Sequence, residues 1–213
     1  MQGKSYISAS CVISNNIVYK NGIAVFENRG TGLQEFLLSI YQHFEIKYPK
    51  FYKMDSLSKL GWLTAEILLK DIFEKEMYQP EDIGVILANA NSSLDTDNKY
   101  YQTTKDIASP ALFVYTLPNI MTGEICIRHN FKGENAFFIF ERFDAGFIQQ
   151  YVNNLINNNT LQACICGWVE LLDDQYKAVL MLVETKEHSG MSATPINIFT
   201  TENLLNIYQT DNG

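Results

Sequence analysis

The amino-acid sequence predicts an α/β domain with a mostly parallel mixed sheet, helices flanking it and an antiparallel edge strand. The segment IGVILAN, Ile83 to Asn89, is an unbroken apolar run of strand length, as expected for a strand covered on both faces by helices. Stretches with apolar residues at helical spacing alternate with strand-like runs. Near the end, ACICGWVEL and KAVLMLVE are separated by DDQY, a hairpin-like connection.

Taken in order, YISASCVIS reads as a strand, and IVYKNGIAVF after Asn15 and Asn16 as a second short strand or an excursion. Leu33, Phe36, Leu37, Ile40, Tyr41 and Phe44 mark an amphipathic helix, which EIKYPKFYKMD interrupts at Pro49. A longer helix follows, capped near Asp55 or Ser56, with Leu57, Leu60, Thr64, Ile67, Leu68 and Ile72 on one face and an end before Pro80. After the IGVILAN strand, NSSLDTDNKYYQTTKDIAS reads as a long polar loop. Pro110 and Pro118 bracket ALFVYTL, and a helix starts near Asn119, carrying Ile120, Gly123 and Ile127. The strand ENAFFIF then enters a helix at Asp144, with Phe147, Ile148, Tyr151, Val152 and Leu155 on one face. From Lys186 onward the chain is polar and weakly patterned, so residues 1–185 read as a single domain and 186–213 as a polar C-terminal tail.

Composition narrows the function classes. With 213 residues, 46% of them hydrophobic and 13% aromatic, the chain suffices for one packed core. A formal charge of -8 with 16 basic side chains argues against nucleic acid, whose phosphates need clustered Lys and Arg. It also disfavours an anionic partner at the level of the whole surface. The first residues lack the apolar core and cleavage site of a signal peptide, and no run has the length of a membrane span, which reads as a cytoplasmic protein. Cys11, Cys126, Cys164 and Cys166 lie in apolar segments as core thiols in a reducing compartment. Cys164 and Cys166 share one face of a strand, yet the scattered His43, His129 and His188 complete no ligand set, so no metal is expected.

The stretch GENAFFIFERFDAGF, Gly133 to Phe147, bends between a strand and a helix, a place where many enzymes put a nucleophile. Here the bend holds Glu141, Arg142, Phe143 and Asp144, none of which forms a thioester or ester with an acyl group. Arg142 beside Glu141 and Asp144 reads as a salt-bridged plug with Asp144 as N-cap, one Arg and two carboxylates without a neighbouring His being a weak catalytic signature. Asn89, Asn91, Ser92 and Ser93 read either as turn and cap residues or as a pocket lining.

Several of these stretches together resemble one family. IGVILANANSSLDTDNKYY, SPALFVYTLPNIMTGEICIRHNFKGENAFF and ACICGWVELL are similar, in order and spacing, to the N-terminal half of β-ketoacyl synthases of the thiolase fold. The most specific part is S-P-x-x-F-x-Y-x-L-P-N-x-x-x-G-x-x-x-I-R, Ser109 to Arg128, followed by K-G-x-N at Lys132 to Asn135. MDSLSKLGWLTAEILL resembles the family's first long helix, and the likeness covers roughly residues 5 to 184.

The resemblance implies a thiolase-like half in which the strand after K-G-x-N leads to an acyl-carrying cysteine at a helix N-terminus, where backbone N–H groups favour thiolate and oxyanion. Counted from Gly133 that position falls on Arg142, and aligned on Gly146 it falls on Phe143. The family's two histidines and lysine come from a C-terminal repeat, before which this chain stops; His188 in KEHSG does not resemble either histidine motif. The likeness is therefore to the chain-length factor, a synthase-like subunit without the cysteine, and implies a non-catalytic subunit of a polyketide, aryl-polyene or fatty-acid-type pathway, with no cofactor. Two alternatives are a condensing acyltransferase component completed by a second polypeptide and a carrier-protein-binding module. In such synthases the strand equivalent to Asn135, Ala136, Phe137, Phe138, Ile139 and Phe140 pairs with the same strand of a second subunit, implying a homodimer or a heterodimer with a synthase-like subunit. Lys47, Lys50, Lys53 and Lys59 form either an ordinary solvated face or a contact for an acidic acyl carrier protein.

Overall fold

Asn15 and Asn16 take φ angles of 51° and 59°, the left-handed geometry of a tight hairpin turn that matches strand twist. They join β1 (Tyr6–Ser14) to β2 (Ile17–Lys20), and Asn21 with Gly22 turns the chain again into β3 (Ile23–Glu27). The excursion after Asn16 is thus a meander of strands. The computed structural model describes residues 5–185 and 197–210. Besides short 3-10 turns at Pro49–Lys53, Lys75–Met77 and Pro80–Asp82, its remaining elements are α1 (Leu33–His43), α2 (Ser56–Leu69), β4 (Ile83–Asn89), α3 (Leu94–Thr103), α4 (Pro110–Val114), α5 (Asn119–His129), β5 (Asn135–Ile139), α6 (Ala145–Asn157), β6 (Ala163–Leu172), β7 (Gln175–Glu184), β8 (Asn197–Ile198) and α7 (Thr201–Tyr208).

One sheet runs β3-β2-β1-β7-β6-β4-β5, with β8 beside the start of β1. The mixed sheet, the flanking helices and an antiparallel edge strand agree with expectation, but that edge is β3, while the terminal hairpin β6–β7 lies inside the sheet. Its parallel part is confined to β5, β4 and β6, joined through helices, while the other pairings are antiparallel. The parallel share is smaller than the sequence suggested because tight turns force antiparallel pairing, and β7 draws β1 to its free side.

β4 is buried along its whole length and feeds both cores by alternation. Val85 and Leu87 pack with α1, α2 and α5 on one face, Ile86 and Ala88 with α6 and α7 on the other. Cys164 and Cys166 share the second face, as their spacing requires. The Asp55 carboxylate caps α2 by accepting from the Ser58 N–H at 2.9 Å.

Two expectations are corrected. The polar stretch after Asn89 contains α3, held by the Lys99–Asp95 pair one turn apart at 2.6 Å. Only Asp95 and Thr96 are buried on it, so no apolar period announces it. Beyond residue 185, the described part is not simply a polar tail: β8 pairs with Tyr6 and Ile7, and α7 buries Leu204 beside Phe199. His188 lies outside the described residues.

The glycine of K-G-x-N has a packing reason. A Cβ on Gly133 would stand 2.6 Å from the Ile83 carbonyl oxygen and 2.7 Å from that of Glu81, so only glycine lets the chain lie against the start of β4.

Candidate functional site

β5 is the outermost strand beside β4, in register from Val85 opposite Asn135 to Asn89 opposite Ile139. The Phe140 N–H donates to the Asn89 carbonyl at 2.9 Å, and there the ladder ends. The next four residues turn the chain into α6, whose N-cap is Asp144, accepting from the Phe147 N–H at 2.8 Å. The strand, bend and helix are placed as the sequence predicts.

The contents of the bend differ. Glu141, Arg142 and Asp144 are exposed, and Arg142 makes no ion pair among the described residues. The expected salt-bridged plug is therefore corrected: Asp144 is engaged as a cap and the Arg142 side chain is solvated. Phe143 is the buried residue, 9% exposed, its ring stacked on Tyr208 at 4.6 Å and edge-on to Trp168 at 6.1 Å. Lys177 covers the Tyr208 ring at 4.5 Å. An aromatic side chain rather than an ion pair fills the bend.

A cavity of about 580 Å³ opens beside it, bounded by the bend and by Thr201 and Leu205 of α7. The lining holds no Cys or His, and its one hydroxyl, that of Thr201, donates to Gln149 Oε1 at 3.0 Å. No nucleophile paired with a base faces the cavity. The sequence did not reveal α7 as a wall, since its partners lie far along the chain.

The Asn and Ser residues after β4 serve the turn. Asn89 and Ser92 exchange hydrogen bonds at 2.8 and 2.9 Å. Glu170, unmarked in the sequence, accepts from the Ala90 N–H at 2.6 Å and from Asn91 Nδ2 at 3.1 Å. Ser93 Oγ donates to the Thr116 carbonyl at 2.7 Å.

At the sheet edge the rings of Phe138, Phe140, Phe147 and Tyr151 form a half-buried aromatic cluster with centroid separations of 4.9 to 5.8 Å. Asn135 is exposed, Ala136 and Phe137 are half-buried, and Ile139 is 49% exposed. No Lys, Pro or bulge protects this edge.

The four lysines divide. Lys50 pairs with the buried Glu124 at 2.8 Å. Lys59 lies over the Phe51 ring at 5.5 Å, and burial lowers its pKa against the opposing pull of Asp55. Lys47 and Lys53 are exposed. Among the described residues no group of three or more His, Cys, Asp or Glu is placed to hold a metal ion. Burial pushes the Cys11 thiol up to about 12 and Cys126 to about 11, and raises Cys164 and Cys166 as well; Cys11, Cys164 and Cys166 are buried thiols and Cys126 is half-buried. No helix among the described residues is long and apolar enough to cross a membrane.

No protein-family model and no curated protein matches the chain. Solved structures do. It is similar to the ishigamide ketosynthase/chain length factor, with 15% identity and a TM-score of 0.62 over 91% of this chain and 64% of that one. It is similar to the AntDE:AntF complex, a type II polyketide-synthase acyl-carrier protein with its ketosynthase bound to the hexaketide, at 13% identity and TM-score 0.61 over 89% and 64%. A third is the ketosynthase (ApeO) in complex with its chain length factor (ApeC) from Xenorhabdus doucetiae, at 13% identity and TM-score 0.55. In that case the match covers 96% of this chain and 90% of the other, whereas the chain spans 64% of the length of the first two. With its mixed sheet, its edge strand and its strand-to-helix bend, the chain has the thiolase-like fold of the ketosynthases and chain length factors.

Proposed function

We propose that the chain is a non-catalytic, ketosynthase-like subunit that works beside a synthase partner in a polyketide, aryl-polyene or fatty-acid-type pathway. The observation that carries this reading is Phe143, packed between Tyr208 and Trp168 at the bend where a nucleophile would stand. Thioester chemistry needs a thiol or hydroxyl there, and Glu141, Arg142, Phe143 and Asp144 supply none. The partner docks at the β5 edge, whose unpaired backbone and half-buried aromatic cluster gain from being covered. The similarity to a chain of comparable length in a ketosynthase–chain length factor complex supports a heterodimer over a homodimer. A carrier-protein contact in the complex engages Lys47 and Lys53, the two lysines left exposed.

Incubation with an acyl thioester followed by peptide mass mapping tests the reading. No adduct is expected on residues 141–144, with or without the partner. An adduct there that forms only with the partner present favours the alternative, a condensing component completed by a second polypeptide.

A further inference from the structure

Three helices end at one place on the other helical layer. α1, α2 and α5 stop at His43, Leu69 and His129, and Glu45, Asp71 and Asn130 turn each chain away with φ of 54°, 62° and 58°. After α1 the Ile46 N–H closes on the Tyr41 carbonyl at 3.1 Å, which brings Ile46 and Lys47 back over the gap. The gap is a cavity of about 340 Å³, within the size range of small-molecule sites.

Its walls are apolar and largely aromatic: Phe44, Ile67, Phe73 and Phe131. Its rim is cationic. Lys47, Lys70, Lys75 and Arg128 face Glu45 and Glu66, four positive charges against two negative, in a chain of net charge -8. Glu66 is already paired with Arg128 through hydrogen bonds of 3.0 and 3.2 Å, and His129 Nε2 lies 2.8 Å from it. Arg128 is fixed over the faces of Tyr48 and Trp62 at 5.0 and 5.9 Å, and Lys70 sits over the Phe44 ring at 5.6 Å. The helix C-termini, which carry partial negative charge, account for Arg128, His129 and Lys70. They do not account for Lys47 and Lys75, which lie beyond the last turns and make no ion pair among the described residues.

We propose that this cavity binds an amphipathic organic anion with a planar apolar body, the body against Phe44, Phe73 and Phe131 and the anionic group at Lys47 and Lys75. The walls favour a ring by edge and face contact, and the two unpaired ammonium groups select the sign of its charge. The inference uses neither the bend nor the β5 edge of the subunit reading; it shares only Lys47 with the carrier-protein contact, and Lys75 and the aromatic walls lie outside that contact.

The probes are 1-naphthoate and 1-naphthylmethylamine, which share a ring and differ in charge, titrated calorimetrically into the full chain. Saturable one-to-one binding of naphthoate is expected, with the amine at least tenfold weaker. The double variant Lys47→Glu, Lys75→Glu should weaken naphthoate at least tenfold with an unchanged thermal melt, these side chains being exposed. Absence of saturable naphthoate binding at millimolar concentration, equal binding of the two probes, or undiminished binding by the folded variant would each overturn the proposal.

Discussion

Phe143 and Tyr208 stack face to face, centroids 4.6 Å apart and planes 15° from parallel, so the bend between β5 and α6 is fastened to the C-terminal helix. Truncating Phe143 removes that stack, the Trp168 contact and the burial of a whole ring. Phe143→Ala should lower unfolding free energy by about 3 kcal/mol, as for a core aromatic. Urea melts of the two proteins measure it, and a loss within error of zero would show that the bend does not depend on the ring.

Arg142 gives the opposite expectation. Exposed and without an ion-pair partner among the described residues, it should contribute little, and Arg142→Ala should change the stability of the isolated chain by less than about 0.5 kcal/mol. A larger loss in the same melts would restore the plug that the sequence suggested.

Much of this architecture was legible in the sequence because local periodicity reports burial. β4 reads as an unbroken apolar run since both its faces are covered, and α6 shows its start through Asp144. The strand was placed to within one residue at each end and the helix start at its cap, and the cysteine-free bend was plain. What escaped was encoded between distant positions. Phe143 meets Tyr208 across a segment with no period, α3 buries only polar residues, and Glu170 anchors the turn after β4 from another strand. Arg142 invited pairing with its neighbours in sequence, but Asp144 faces the helix N-terminus instead. Charge order along a chain does not fix side-chain direction.

The Glu66 cluster should make stability depend on acid. Burial pushes the Glu66 carboxyl up, but hydrogen bonds and charge from His129 and Arg128 more than reverse this, leaving it below its ordinary value of 4.5. A depressed folded pKa contributes stability that is present above the unfolded value and lost as pH falls through the folded one. Stability should therefore decline below about pH 4.5, and less steeply in Glu66→Gln. Urea melts across pH 3 to 6 check this, and parallel profiles for the two proteins would contradict it.

Gly133→Ala should cost about 1 to 3 kcal/mol, because the added carbon lands 2.6 and 2.7 Å from two backbone oxygens that bound the start of β4. A thermal melt matching that of the parent would mean that the chain beside β4 shifts freely.

The β5 edge, as proposed, should be completed by another subunit. Sedimentation velocity at micromolar concentration, on the chain alone and mixed with a synthase from its own pathway, tests this most directly when repeated with Ile139→Lys, which places a charge on the edge at a position 49% exposed. A complex with the synthase is expected for the parent chain, and its loss in the folded variant. A parent that stays monomeric in both experiments, or a variant that assembles as well as the parent, would contradict it.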